Sequence, residues 1–579
     1  MTPLAPRAYA IEEYTRTVCP LCAAEGPLRS NAPGTFVDGM LVSHGGRVWM
    51  RRWCARHGET ESLYEEDAEI WRTRHGWSTP TLTVVPDRAD NFAGFPDGYR
   101  LGLPASHGQH TCILLLNVTE RCNFACPTCF ADAIAPGSGE GSPWREERPE
   151  GGAVGGSVEG RDAGSPDLFA GVAPQVEGVP GGASNRTPHP QPLSSGGARG
   201  AGEPSIDEML HTVDTTIRRE GGKLGVLMLS GGEPTVRRDL TEFLLRAFER
   251  PITRVLINTN GRRIARDDAF LRFLQEHRDR VEVYLQFDGF RESTHLALRG
   301  ERLAEEKRAA LDRLQAAGVW TTLVQTVVKG VNDDEVGAVL ELGLATPRCA
   351  GLAVQPMFGS GRVGPYDPLD RATPTGVLRR LAGQTGGRIS HDDFVPLPCS
   401  HRDCCDIGYF LRTPKGEWRS LAALLGRSEL KRWIHLVSNT ISFEGASDAV
   451  RELVRGGVLQ RVFSESQKVP ALELARDILT MCDCVPGLRE LLTPGGTRES
   501  LDRMAERTFR VTVKQFMDAH TFHEHRIRQC CVHVGSFEED PRRHSFCWRW
   551  TFEDASDFPS SLRGRGARGE GRVPLRVVP

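Results

Sequence analysis

"CILLLNVTERCNFACPTCF", residues 112–130, is the stretch on which the reading of this chain turns. An apolar run from Cys112 to Val118 leads into three cysteines, Cys122, Cys126 and Cys129. The run has the length and composition of a strand buried on both faces. Three thiolates on one short loop suit three irons of a [4Fe-4S] cluster and leave the fourth iron open to a small molecule. A structural zinc site borrowing a distant ligand, or three cysteines placed by chance, are the alternatives.

Five further apolar runs follow: "LGVLMLS" (224–230), "RVLINTN" (254–260), "VEVYLQF" (281–287), "TTLVQTV" (321–327) and "GLAVQPM" (351–357). Amphipathic helical patterns separate them, so the chain alternates strand and helix as a parallel sheet requires. Six such units form either a partial barrel or an open doubly wound sheet, and in both the loops after the strands carry the chemistry. The cysteine loop follows the first strand. Directly after the second comes "GGEP", Gly231, Gly232, Glu233 and Pro234, where glycines admit a ligand to the backbone and Glu233 can hold a cationic amine.

The chain has 579 residues, which suggests about three or four domains of about 150 residues each. Its 72 Lys+Arg nearly balance 75 Asp+Glu, so no global field points to nucleic acid. The N-terminus lacks a secretory signal, and no stretch of about 18 apolar residues occurs. A cytoplasmic chain without a transmembrane segment is expected, with peripheral membrane contact open. Sixteen cysteines in a reducing compartment are read as metal ligands rather than disulfides. Cys112 and Cys349 stand apart in strand-like contexts and are read as buried thiols without function. Residues 134–203 and 556–579 are rich in Gly, Pro, Ser and charge, and are expected to be a disordered insertion and tail. Order resumes at Ser205, three residues before Glu208, a helix capping box.

The three-cysteine loop followed by "GGEP" after the next strand resembles the radical S-adenosylmethionine (SAM) superfamily over residues 108 to about 360. The resemblance implies a partial (β/α)6 barrel, with SAM on the open iron of the cluster held by Cys122, Cys126 and Cys129. Reductive cleavage of SAM would yield a 5'-deoxyadenosyl radical that takes hydrogen from an unactivated carbon. It further implies that Gly231, Gly232, Glu233 and Pro234 seat the methionine amine, that Asn258 and Gln286, with Asp288, face SAM or substrate, and that a flavodoxin or ferredoxin supplies electrons. Many relatives carry an aromatic residue before the third cysteine, where this chain has Thr128 and then Phe130 after it.

Cys19, Cys22, Cys54 and His57 form a tetrahedral set for a mononuclear zinc or iron, in an N-terminal knuckle domain over residues 1–95. The barrel is expected over 108–395 and a cysteine-rich cluster region over 396–555. That region holds Cys399, Cys404, Cys405, Cys482, Cys484, Cys530, Cys531 and Cys547, enough for one or two auxiliary [4Fe-4S] clusters. His401, His523, His525, His533 and His544 lie among them. The whole pattern is similar to the tetraether lipid synthase-like radical SAM proteins, a subgroup that includes enzymes assigned to pterin methylation. It implies coupling of lipid alkyl chains through carbon–carbon bonds. Methyl transfer to a pterin-like heterocycle or peptide modification is the alternative within the class, and a non-catalytic multi-cluster electron carrier is the alternative outside it.

Overall fold

The computed structural model describes residues 9–134, 203–431 and 505–552, apart from 78–80, 83, 364, 365, 414 and 429. Cys482, Cys484, the tail and the expected insertion, except its ends Ile134 and Glu203, lie outside the described residues.

Near the N-terminus, β1 (Ala10–Val18), β2 (Phe36–His44), β3 (Arg47–Cys54) and β4 (Gly58–Glu65) form an antiparallel sheet in chain order. Alternation along β3, with Val48, Met50, Arg52 and Cys54 buried, marks a sheet packed on one face.

The six expected strands are β5 (Ile113–Thr119), β6 (Leu224–Gly231), β7 (Ile252–Thr259), β8 (Val281–Gln286), β9 (Thr321–Val327) and β10 (Cys349–Pro356). All neighbours pair in parallel and in sequential order. A doubly wound sheet reverses its strand order part-way, so this order selects the partial barrel. The capping box forms as expected: Ser205 Oγ accepts from Glu208 N at 3.2 Å and Glu208 Oε2 accepts from Ser205 N at 2.7 Å, starting the helix Ile206–Arg219.

Successive side chains on each strand face opposite ways, and the two faces have different partners. Leu114, Leu116, Leu227, Leu229, Val255 and Ile257 pack against the helices. Ile113, Leu115, Val226, Met228 and Leu256 face inward, where they meet Met517, Phe522, Ile527, Phe546 and Trp548 from the C-terminal part of the chain. That segment also extends the sheet at both edges. β14 (Thr508–Lys514) runs parallel to β10, and β15 (Val532–Gly535) runs parallel to β5. Outside them lie β12 (Cys405–Arg412) with β11 (Val395–Pro396) and β13 (Trp418–Ser420) on one side, and β16 (Arg543–Ser545) on the other.

Candidate active site and metal centres

One cavity at the C-terminal ends of the barrel strands gathers Cys122, Cys126, Cys129, Gly231, Gly232, Glu233, Asn258 and Gln286. Three thiols from one loop on one cavity wall suit three irons of a [4Fe-4S] group. Burial pushes the Cys122 and Cys126 thiols up; at Cys126 the Arg299 guanidinium works the other way.

The loop is held from four sides. Cys129 and Arg362 exchange backbone hydrogen bonds of 2.9 Å, and the Arg362 side chain donates to Cys126 O at 3.0 Å and to Ala133 O at 2.8 Å. Phe124 lies beneath Arg262, whose guanidinium carbon is 4.1 Å from the ring centroid, and near Lys307. The ends of the expected insertion are tied in as well: Cys122 N donates to Ile134 O at 2.9 Å, and Arg121 Nη2 to Glu203 Oε2 at 2.9 Å.

The "GGEP" loop makes the fourth contact. Gly232 N donates to Thr119 O at 2.7 Å and Glu233 N to Arg121 O at 2.8 Å. A Cβ on Gly231 would lie 2.3 Å from Thr119 O, and one on Gly232 2.1 Å from Arg121 O. The glycines are therefore required by the backbone of the cysteine loop itself, a reason the sequence did not supply. Glu233 is buried and its carboxylate already accepts four bonds: from Thr235 N at 3.1 Å, Thr235 Oγ1 at 2.7 Å, Thr259 Oγ1 at 2.7 Å and Asn260 N at 2.7 Å. Three of these bonds fall on Oε1 and one on Oε2, so the side chain joins the ends of β6 and β7 while lining the cavity. Pro234 opens the single 3-10 turn Pro234–Val236 and is buried outside the cavity lining.

Asp288, expected to face SAM or substrate, is turned away from the cavity. Its carboxylate binds Arg299 at 2.7 and 2.8 Å, and Thr326 N at 3.1 Å. Burial opposes both charges, but each holds its partner ionised, so Asp288 lies below the usual carboxylate range and Arg299 above its own. Arg299 reaches the cavity in its place. With its amide oxygen facing the guanidinium, Gln286 accepts from Arg299 at 2.6 and 3.0 Å. Gln355, Met357 and Phe358 at the end of β10, with Arg362, complete the wall and were not singled out from sequence. The "GSGR" run, Gly359 to Arg362, was the available signal for the last of these.

Cys19, Cys22, Cys54 and His57 bring their ligand atoms within 4.8 Å of one another. His57 Nδ1 lies 3.5, 3.4 and 3.7 Å from the three sulfurs, while Glu25 Oε1 sits 2.9 Å from Nε2. A carboxylate on the outer ring nitrogen fixes the tautomer that turns Nδ1 to a metal. Burial works against it, but the backbone N–H groups of Arg56 and His57 bring the Cys54 thiol down to about 7. This donor set fits zinc.

The described C-terminal cysteines do not form one set. Cys399 and Cys531 are buried with sulfurs 3.5 Å apart, and Cys112 joins them within 4.8 Å. Cys112 is therefore no inert thiol: its position at the head of β5 looked like a strand residue because both partners come from the far end of the chain. Cys349 is buried and points its thiol at Gly351 O at 3.6 Å. Burial pushes the Cys547 thiol up, and thiolates on Cys530 and Cys404 would add to it. Cys404 Sγ accepts from Arg526 at 3.4 Å, and Cys405 turns its thiol to Asp406 O at 3.5 Å. His401 Nδ1 accepts from Asp403 N at 3.2 Å, His533 pairs with His107, and His544 is buried on β16; among the described residues none joins a cysteine set.

Residues 116–343 match the radical SAM superfamily, and residues 11–66 match the HMPTM N-terminal zinc ribbon domain. The chain is a radical SAM enzyme. Its radical SAM domain implies SAM binding, and the N-terminal four-ligand site is that of a zinc ribbon. Across 563 residues, 93% of each chain, it is 23% identical to 7,8-dihydro-6-hydroxymethylpterin dimethyltransferase of Methanocaldococcus jannaschii. It is also 30% identical to the GTP 3',8-cyclase of Rhodopseudomonas palustris over 177 residues, 28% of this chain and 49% of that enzyme. Among the described residues no helix is long and apolar enough to cross a membrane.

Proposed function

We propose that this radical SAM enzyme methylates a ring carbon of a reduced pterin or a heterocycle of that shape. The cavity wall carries the reading. Amides of Asn258, Asn260, Gln286 and Gln355 stand beside the rings of Phe124, Phe130 and Phe358, a surface suited to a flat, hydrogen-bonding ring. Among the described residues its aliphatic share is Ala131, Val324, Pro356 and Met357, short for a pair of alkyl chains. The end-to-end similarity to a pterin dimethyltransferase supports the same conclusion, and nothing in the comparisons supports the lipid coupling expected from sequence.

When bound, a [4Fe-4S] cluster with SAM supplies the electron and the radical chemistry, and a second SAM supplies the methyl group and leaves as S-adenosylhomocysteine. Cys122, Cys126 and Cys129 would hold it, and the backbone at Gly231 and Gly232 would receive the methionine end. Arg299, kept charged by Asp288, would orient an anionic or carbonyl group of SAM or substrate, while Phe130 and Phe358 exclude water. Electrons would come from a flavodoxin or ferredoxin. The test is anaerobic incubation with reductant, SAM and 7,8-dihydro-6-hydroxymethylpterin, followed by mass spectrometry. A pterin carrying one or two added methyl groups, with 5'-deoxyadenosine, is expected. 5'-Deoxyadenosine with unmodified pterin would remove the substrate assignment, and coupled chains in a parallel lipid incubation would replace it.

A further inference from the structure

A fourth group of metal-ligating side chains shares no residue with the cluster cavity, the ribbon site or the Cys112 set. Glu13 on β1, and His523 and His525 at the start of the helix Glu524–Arg528, bring one carboxylate oxygen and two ring nitrogens within 4.8 Å of one another. Glu13 Oε1 is 3.4 Å from His523 Nε2 and 3.1 Å from His525 Nδ1.

The hydrogen bonding around His523 admits the tautomer that a cation needs. Thr15 Oγ1 lies 3.1 Å from Arg16 O and 3.3 Å from His523 Nδ1 and accepts from Glu524 N at 3.3 Å; with its proton given to Arg16 O, it accepts from His523 Nδ1. The ring proton is then on Nδ1, and Nε2 presents a lone pair. His523 is fully buried, and Nε2 has no hydrogen-bond partner. The atom it faces, Glu13 Oε1, is itself an acceptor. Two lone pairs opposed beside a fully buried ring are costly unless a cation lies between them. Glu13's second oxygen is held by Arg402 at 2.6 Å, as outer partners hold ligating carboxylates.

We propose that Glu13 Oε1, His523 Nε2 and His525 Nδ1 hold a divalent transition-metal ion of the zinc class. Donors at about 2.0–2.1 Å from a tetrahedral ion stand about 3.3 Å apart, close to the two separations found here. His525 is half exposed, which leaves the fourth position to water. The ion would tie β1 to a helix 512 positions later in the chain, a clamp between the ribbon and the C-terminal segment.

The test uses the full-length protein with its iron–sulfur clusters in place, dialysed anaerobically against zinc alone and counted for bound zinc by elemental mass spectrometry. Wild type should hold two zinc ions, and His525→Ala and Glu13→Gln one each. Cys54→Ser should also hold one, having lost the ribbon ion, and its combination with His525→Ala none. His525→Ala removes a half-exposed ring, so its effect does not depend on disturbing the core. Added zinc should raise the melting temperature of Cys54→Ser and leave that of the double variant unchanged. His525→Ala and Glu13→Gln proteins binding as much zinc as wild type would overturn the proposal and leave a shared proton between His523 and Glu13.

Discussion

Cys129 and Arg362 exchange two backbone hydrogen bonds of 2.9 Å, which stitch the loop after the first barrel strand to the segment after the last. The Arg362 side chain adds bonds to Cys126 O and Ala133 O. Outer partners of metal ligands are worth about 10–100-fold in metal affinity or activity. Arg362→Ala should therefore lower SAM cleavage by about that factor while the ribbon keeps its zinc. Wild-type cleavage in this variant would mean that the backbone pair alone holds the loop.

Gly232→Ala places a Cβ 2.1 Å from Arg121 O, a contact that only backbone movement relieves. Overpacking of this kind costs about 1–3 kcal/mol, and here the strain falls on the cysteine loop. Urea unfolding should register the loss together with weakened SAM binding. Gly383→Ala is the control: nothing lies within 4 Å, and alanine near the end of the helix Pro374–Gln384 should be neutral or slightly stabilising.

Glu233→Ala should retain its iron content and lose SAM cleavage by about 100-fold, since four buried donors at Thr235, Thr259 and Asn260 lose their acceptor. Glu233→Gln keeps one oxygen but turns an NH2 group toward donors, so it should recover little. Iron analysis beside 5'-deoxyadenosine formation separates the two effects. Undiminished cleavage in the alanine variant would end the assignment of this loop.

Cys112→Ser and Cys349→Ser form a matched pair of buried strand thiols. The first should cost iron and sulfide after anaerobic reconstitution, because Cys112 sits with Cys399 and Cys531; the second should not. Equal iron in both proteins would exclude Cys112 as a ligand.

Glu25→Ala should release ribbon zinc to a chelator about 10–100-fold more readily, because His57 loses the carboxylate that orients it. Acid should do the same in wild type. Zinc binds thiolates and neutral imidazole, so protons compete increasingly as pH falls through about 7, where the metal-free Cys54 thiol titrates. Zinc retention that does not change between pH 8 and pH 5 would contradict this.

The barrel was legible because each strand carries its signal locally. "LGVLMLS" and "RVLINTN" need no knowledge of their neighbours, and the loops after them are fixed once the strands are known. β14 and β15 were not legible. "TFRVTVK" alternates apolar and polar residues like any half-buried strand, and "VHVG" is four residues long, so nothing local says that they extend the parallel sheet. The site divides in the same way. Cys122, Cys126 and Cys129 are a contiguous motif, whereas Arg299, Arg362 and the place of Cys112 arise only when distant segments meet. Glu233 was found for its position, but its hydrogen bonds to Thr259 and Asn260 depend on the β6–β7 register.

The pairing of β14 with β10 and of β15 with β5 has a consequence for how the protein is made. A nascent chain that has emerged through residue 356 has all six central strands, yet both of its outer strands still expose unpaired backbone groups. Such edges invite pairing with other chains. Both are covered only after residues 508–535 leave the ribosome, so biogenesis has a late checkpoint, and premature termination after the barrel would favour aggregation over a soluble fragment.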